Sequence, residues 1–178
     1  MDDRQLIILL KDPKTREPAF NRLVDLYKER LYWQIRRMVL THEDTDDVLQ
    51  NTFIKAWQGL DAFRGEAQLS TWLFRIAANE ALNFVERKRP AQSIDDEAGA
   101  VAEQLESDPY FDGDETERQL QQAIALLPER QRQVFLMKYY DEMPYEQMSQ
   151  VLDTSVGALK ASYHHAVKKI ADFFRHHD

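Results

Sequence analysis

The chain has no cysteine among its 178 residues. That absence excludes a disulfide framework, thiolate catalysis and any Cys-based zinc or iron–sulfur site. It fits a reducing compartment. Glycine is scarce, at five residues, and no glycine-rich phosphate loop occurs. No stretch reaches the ~18 consecutive apolar residues of a membrane-spanning helix. The opening Met1-Asp2-Asp3-Arg4-Gln5 is acidic, unlike a secretory signal. No direct membrane insertion is therefore expected. Histidine is also sparse. Of His42, His164, His165, His176 and His177, four lie near the C-terminus, and none has HExxH spacing. Neither a metal site, a cofactor nor an enzymatic constellation is expected. Positive charge is in short supply too: 23 Lys plus Arg face 31 acids, for a net charge of −8. Phosphate binders are usually basic, so this total speaks against nucleic acid.

What is present changes that inference. Residues 91 to 117 hold ten acids (Asp95, Asp96, Glu97, Glu103, Glu106, Asp108, Asp112, Asp114, Glu115 and Glu117) and no Lys or Arg. Residues 1 to 90 hold 15 basic and 14 acidic residues, and residues 118 to 178 hold 8 and 7. Each flanking piece is thus near neutral, and the deficit belongs to one segment. Its Gly, Ser, Pro and like charges read as a linker. The 43% hydrophobic fraction suffices to build a core on either side.

Apolar residues recur at three and four spacings, which predicts helices almost throughout. Asp2 or Asp3 caps a short helix that Pro13 stops. A long helix follows from Pro18 through Val39. Thr41 starts a third, which Gly59 ends near a C′ position. Ser70 or Thr71 caps a fourth, running to about Lys88. After the linker, helices are expected over Glu115 to Leu126, from Pro128 to Tyr140, from Pro144 to Val151 or Leu152, and from Ser155 to about Phe174. The expected fold class is all-α: two small helical domains, 1–90 and 114–178, joined by a flexible acidic linker over 91–113.

Three constellations carry chemistry. Pro144 to Lys169 pairs a short helix with a longer one across the tight turn Asp153-Thr154, which is helix-turn-helix spacing. Met148 and Val151 or Leu152 should meet Val156, Leu159 and Tyr163. The opposite stripe then offers Gly157, Lys160, Ala161, His164, His165 and Lys168 to solvent or to a major groove. Periodicity leaves an ordinary helical hairpin equally open. In the second, Asp61 to Pro90 interleaves aromatics with an Arg-bearing loop and the basic end Arg87-Lys88-Arg89, as single-stranded nucleic acid requires. Asn79 and Asn83 share a helix face and could each meet a base edge. The other reading makes those aromatics core and the Asn pair solvated surface. In the third, Glu43-Asp44-Thr45-Asp46-Asp47 precedes Val48, Gln50, Phe53 and Trp57. This is either a protein-docking face or a helix start favoured by its dipole.

These residues, taken together and in this order, resemble an extracytoplasmic-function (ECF) sigma factor. That is the smallest group of the sigma-70 family of bacterial transcription initiation factors. Asp47-Val48-Leu49-Gln50-Asn51-Thr52-Phe53-Ile54-Lys55-Ala56-Trp57 is similar to the end of its core-binding region. Phe63-Arg64-Gly65, with Ser70-Thr71-Trp72-Leu73-Phe74-Arg75-Ile76-Ala77 and Asn79, resembles its −10 reading segment. Leu127-Pro128-Glu129-Arg130-Gln131-Arg132 and the helix-turn-helix resemble its −35 reading domain.

The resemblance implies a transcription initiation factor in the cytoplasm, and not an enzyme. Its partners would be core RNA polymerase, promoter DNA and an anti-sigma factor. Asp46, Asp47, Gln50, Phe53 and Trp57 would dock on polymerase. Phe63, Arg64, Asn79, Asn83, Arg87 and Lys88 would serve the −10 element. Ser155, Gly157, Lys160, Ala161, His164, His165 and Lys168 would serve the −35 element. A free-standing helix-turn-helix regulator is the alternative; a protein-binding helical adaptor is a third reading. Three departures from the family pattern stand out: Asp153 in place of a turn glycine, Ser149 in place of alanine, and a recognition helix poor in arginine.

Overall fold

In the computed structural model, the described residues are 2–88 and 113–176. The acidic linker expected over 91–113 lies, up to residue 112, outside them, as do Arg89 and Pro90. Eight helices and no strand occur among the described residues: α1 (Asp3–Lys11), α2 (Arg16–Val39), α3 (His42–Gln58), α4 (Leu69–Arg87), α5 (Glu115–Ala125), α6 (Glu129–Tyr139), α7 (Tyr145–Leu152) and α8 (Val156–His176).

The starts and stops follow from local chemistry. Asp2 opens α1 with a reciprocal capping box: Asp2 accepts from the Gln5 N–H at 2.9 Å, and the Gln5 side chain accepts from the Asp2 N–H at 3.2 Å. Thr41 caps α3 through the Asp44 N–H at 3.2 Å. Asp114 caps α5 through that of Glu117 at 2.9 Å. Ser155 accepts from the Ala158 N–H at 3.2 Å and so begins α8. Each satisfies a helix-end donor that would otherwise lack a partner.

Helix α2 begins at Arg16, two residues before the expected Pro18. Helix α4 begins at Leu69, which is fully buried, with Gln68 at the N-cap and no side-chain cap, rather than after Ser70 or Thr71. Gly59 closes α3 with φ −90°, so left-handed freedom is not its purpose. A Cβ there would lie 3.2 Å from the Lys55 carbonyl and 3.4 Å from the Trp72 ring, so close approach favours glycine.

Helices α2, α3 and α4 pack mutually, with α1 laid on α2. Their interior holds Leu23, Leu31, Ile35, Val48, Ala56, Leu73 and Ala77. In the second unit α8 packs on α5, α6 and α7 through Leu159, Ala166 and Ile170. The two units also pack on each other, α4 against α7 and α6, and α2 against α6. Arg132 through Met137 are consecutively buried, because α6 is covered both by its own unit and by the first. A helix buried on opposite faces has no polar stripe to display.

Candidate nucleic-acid and protein interfaces

On α3 the outward row is Asp46, Gln50, Phe53 and Trp57, one helical face with Asp47 and Ile54 beside it. Asp46, Asp47 and Gln50 are exposed. Trp57 is 42% exposed and Ile54 48%. Phe20 of α2 supports the aromatics from beneath, with ring centroids 6.3 Å from Phe53 and 5.1 Å from Trp57, both edge-on. Trp57 is therefore at once buttress and surface. An apolar pair beside two carboxylates and an amide suits a protein partner. Ile54 was absent from the sequence-derived set, although its spacing from Gln50 and Trp57 carries the signal.

The loop before α4 presents Arg64 and Glu66, while Gly65 at φ +76° makes its turn. Phe63 corrects an expectation. Its ring is 6% exposed, 4.7 Å from the Trp72 ring and beneath the Lys11 ammonium at 5.9 Å. Its backbone N–H bonds the Gly59 and Leu60 carbonyls, which turns the ring inward. The loop is presented; the phenyl group anchors it. On α4, Asn79 and Asn83 are exposed, one turn apart, between buried Ala78, Ala81 and Leu82. Arg87 is exposed, and its Nε donates to the Asn83 carbonyl at 3.3 Å. Lys88 is partly committed elsewhere: its ammonium lies 3.3 Å from Asp44 of α3 and 5.0 Å from the Phe84 ring.

Helix-turn-helix packing follows the expected stripe. Met148, Val151 and Leu159 are buried, with Leu152, Val156 and Tyr163 packed partly against them. Burial raises the Tyr163 hydroxyl above its ordinary range. Ser155, Gly157, Lys160, Ala161, His164, His165 and Lys168 are all exposed. Nothing lies within 4 Å of where a Gly157 Cβ would sit, so that face is open to a close partner. The turn residue Asp153 has φ 51° and ψ 49°. Aspartate tolerates this left-handed region better than most side chains, so it fills a glycine's place at modest strain.

Two residues escaped the sequence reading. Tyr145 opens α7, and its ring receives two ammonium groups, Lys138 of α6 at 4.3 Å and Lys160 of α8 at 5.7 Å. Like charges converging on one ring repel each other. Among the described residues neither is ion-paired to a carboxylate. Two cations thus meet at one ring beside the α8 stripe. No spacing rule joins positions 138, 145 and 160, because three different helices supply them.

No group of three His, Asp or Glu that could hold a metal occurs among the described residues. No described helix is long and apolar enough to cross a membrane.

Comparison with known proteins completes the picture. The model of a family described as "Sigma-70 region 2" matches residues 23–90, and that of "Sigma-70, region 4" matches residues 117–170. The chain is 30% identical over 161 residues to the ECF RNA polymerase sigma factor SigW of Bacillus subtilis (strain 168), covering 85% of this chain and 86% of that protein. It is 30% identical over 165 residues to the ECF RNA polymerase sigma-E factor of Escherichia coli (strain K12), covering 87% and 86%. In fold it is similar to CnrH, solved in complex with the cytosolic domain of CnrY. The TM-score is 0.73 at 24% identity, covering 99% of each chain. It also shares its fold with the sigma factor RpoE of Bartonella quintana, solved with the anti-sigma factor NepR. There the TM-score is 0.66 at 19% identity, covering 88% of this chain and 96% of that one.

Proposed function

The chain belongs to the sigma-70 family, within its ECF group, and from that premise we infer how its surfaces divide the work of promoter-specific initiation. It is an alternative sigma factor that binds core RNA polymerase and directs it to promoters. The relatives give no support to a free-standing regulator.

The α3 face docks on polymerase. Asp46, Asp47 and Gln50 supply the polar contacts, and Ile54 and Trp57 the apolar ones. The α4 surface serves the −10 element: Arg64 and its loop receive an extruded base, Asn79 and Asn83 meet base edges, and Arg87 meets backbone phosphate. Extruding a base costs a few kcal/mol, roughly, in unstacking and unpairing. A pocket that holds only an extruded base offsets that cost after opening, so melting is favoured inside the holoenzyme. Helix α8 reads the −35 duplex with Lys160, Ala161, His164, His165 and Lys168. Gly157 permits close approach, and Ser155 fixes the helix start. The notch of Lys138, Tyr145 and Lys160 holds a backbone phosphate.

The observation that carries this reading is the α8 stripe. Every residue of that stripe expected to face DNA is exposed, while the intervening Leu159 and Ala166 are fully buried. Near-neutral flanking pieces suit a factor that binds promoters weakly alone and borrows affinity from polymerase. We place its work in the cytoplasm, without catalysis of its own, and with an anti-sigma factor as a further partner. Run-off transcription with core polymerase, with and without the chain, tests the reading across a genomic library. Promoter-dependent transcripts only in its presence are expected. Their absence, or a footprint by the isolated chain at the same sites, would overturn it.

A further inference from the structure

The first turn of α3 contains a hydrogen-bonded relay that the function has not used. His42 is the first residue of α3, and Asp46 lies one turn on, on the same face. The imidazole Nε2 is 3.1 Å from the Asp46 Oδ2. Its Nδ1 is 2.7 Å from the hydroxyl of Tyr32, on α2. The Tyr32 ring lies 5.7 Å from the imidazole and is itself braced edge-on by Trp33 at 5.1 Å. The path thus runs from α2 through the imidazole to a carboxylate on the polymerase face.

The chemistry selects one arrangement. An ionised carboxylate only accepts, so the nitrogen facing Asp46 must carry hydrogen. In neutral imidazole the other nitrogen is then a bare lone pair, which requires a donor. The Tyr32 hydroxyl supplies it and so selects the Nε2–H tautomer. In the imidazolium both nitrogens donate, and the same hydroxyl accepts. The bond to Asp46 therefore persists in both protonation states, and Tyr32 is needed to direct it only in the neutral one.

Other charged groups flank this pairing. Asp44, on the same turn, is taken by Lys88 of α4 at 3.3 Å. Arg36 of α2 donates its guanidinium to the Leu40 carbonyl. Glu43 is exposed beside His42 on α3.

We propose that His42 is a positioning residue for polymerase docking, holding the Asp46 carboxylate ready for its partner, with Tyr32 selecting its tautomer. A carboxylate already held in place loses less conformational freedom on binding, so association is tighter. The proposal rests on the assignment of Asp46 to the docking face, and the test separates the two.

The affinity of the full chain for core RNA polymerase is measured for Asp46→Ala, His42→Ala and the double variant, with each melting temperature. A lost hydrogen bond predicts a weakening of about three- to tenfold for His42→Ala. No further loss is expected when Asp46 is already alanine. His42→Gln, whose amide can donate to Asp46 across one turn, should restore most of the affinity. Tyr32→Phe, which removes the hydroxyl facing Nδ1, should also weaken binding. If Asp46→Ala leaves affinity unchanged, the docking assignment of Asp46 fails and the proposal fails with it. If Asp46→Ala weakens binding while His42→Ala does not, or if the two losses add, the docking face stands and the proposal is overturned. A His42→Ala loss that only tracks a fallen melting temperature, or a Tyr32→Phe variant that binds as tightly as the parent, would also overturn it.

Discussion

Two lysines show how a side chain can carry more than its solvent face suggests. Lys55 of α3 is ion-paired to Glu80 of α4, whose side chain is 6% exposed while that of Lys55 is 56% exposed. Removing the lysine strands a buried carboxylate, which is the costly half of such a pair. Lys55→Met should lower the stability of the full chain by about 3 kcal/mol, read by urea denaturation. Replacing both partners by apolar residues should recover most of that loss. Lys138 is the second case. As a phosphate contact it contributes no sequence information. Lys138→Gln should reduce the slope of log affinity against log salt by about 0.9 for the holoenzyme on promoter DNA. The loss should be equal on cognate and scrambled −35 sequences. His164→Ala should instead weaken only the cognate one. Equal sequence selectivity in the two variants would remove Lys138 from the phosphate notch.

At the scale of the element, the helix-turn-helix depends on one strained turn. Asp153 holds the left-handed conformation that lets α7 stop and α8 set off across it, and its N–H bonds the Ser149 carbonyl. A β-branched residue there meets the full left-handed penalty of roughly 1–2 kcal/mol. Asp153→Val should therefore destabilise by about that amount, and Asp153→Gly should be neutral or better. Thermal unfolding of both variants checks this. A Val variant as stable as the parent would mean that the turn relaxes freely. The same element explains the weakly cationic recognition helix. With Lys160, Lys168 and two histidines on its outer face, α8 cannot hold a duplex by charge alone. On the proposed reading, shape, close approach at Gly157 and the contact shared with α6 and α7 supply the rest.

In the whole molecule, the two units meet across a polar seam. The Gln133 amide donates to the Ala78 carbonyl at 2.9 Å, and the Gln147 amide to the Thr71 hydroxyl at 3.3 Å. The Arg75 guanidinium holds the Gln150 carbonyl in the last turn of α7. Arg37 bonds Asp141 at 2.7 Å and lies over the Tyr140 ring at 4.8 Å. A cleft of about 440 Å³ remains at the seam, walled by Arg30, Trp33, Phe74 and Met143. Burial raises the Asp141 pKa, and the Arg37 charge only partly opposes it. The ionised pair is thus a net cost that the seam tolerates. An acid whose folded pKa is raised stabilises fully below its unfolded value, near 3.9, and that contribution is lost as pH rises through the folded one. Asp141→Asn should therefore leave the closed arrangement as stable or firmer at neutral pH, and flatten its response to acid. Arg37→Ala, which strands the carboxylate, should loosen it by about 2 kcal/mol, below the ~3–5 of full burial. Small-angle scattering and melting curves of the two variants distinguish these outcomes. Equal opening by both would mean that the ion pair itself holds the seam.

The sequence by itself determined the helices and most of their ends, because caps, prolines and the 3.6-residue period act within one element. It also located the acidic segment and the outward stripe of α8, where Lys160 and His164 repeat one turn apart opposite buried Leu159. The exposed row of α3 was legible for the same reason, apart from Ile54. Only the tertiary structure decided which surfaces face each other. Phe63 went inward because Trp72 and the start of the loop enclose it. Lys138, Tyr145 and Lys160 converge from three helices. Arg37 and Asp141 are 104 residues apart in the chain, and Arg75 and Gln150 are 75 apart. Periodicity states which face of a helix is apolar; it carries no record of which helix will cover that face. For α6, covered on both sides, it had no stripe to report.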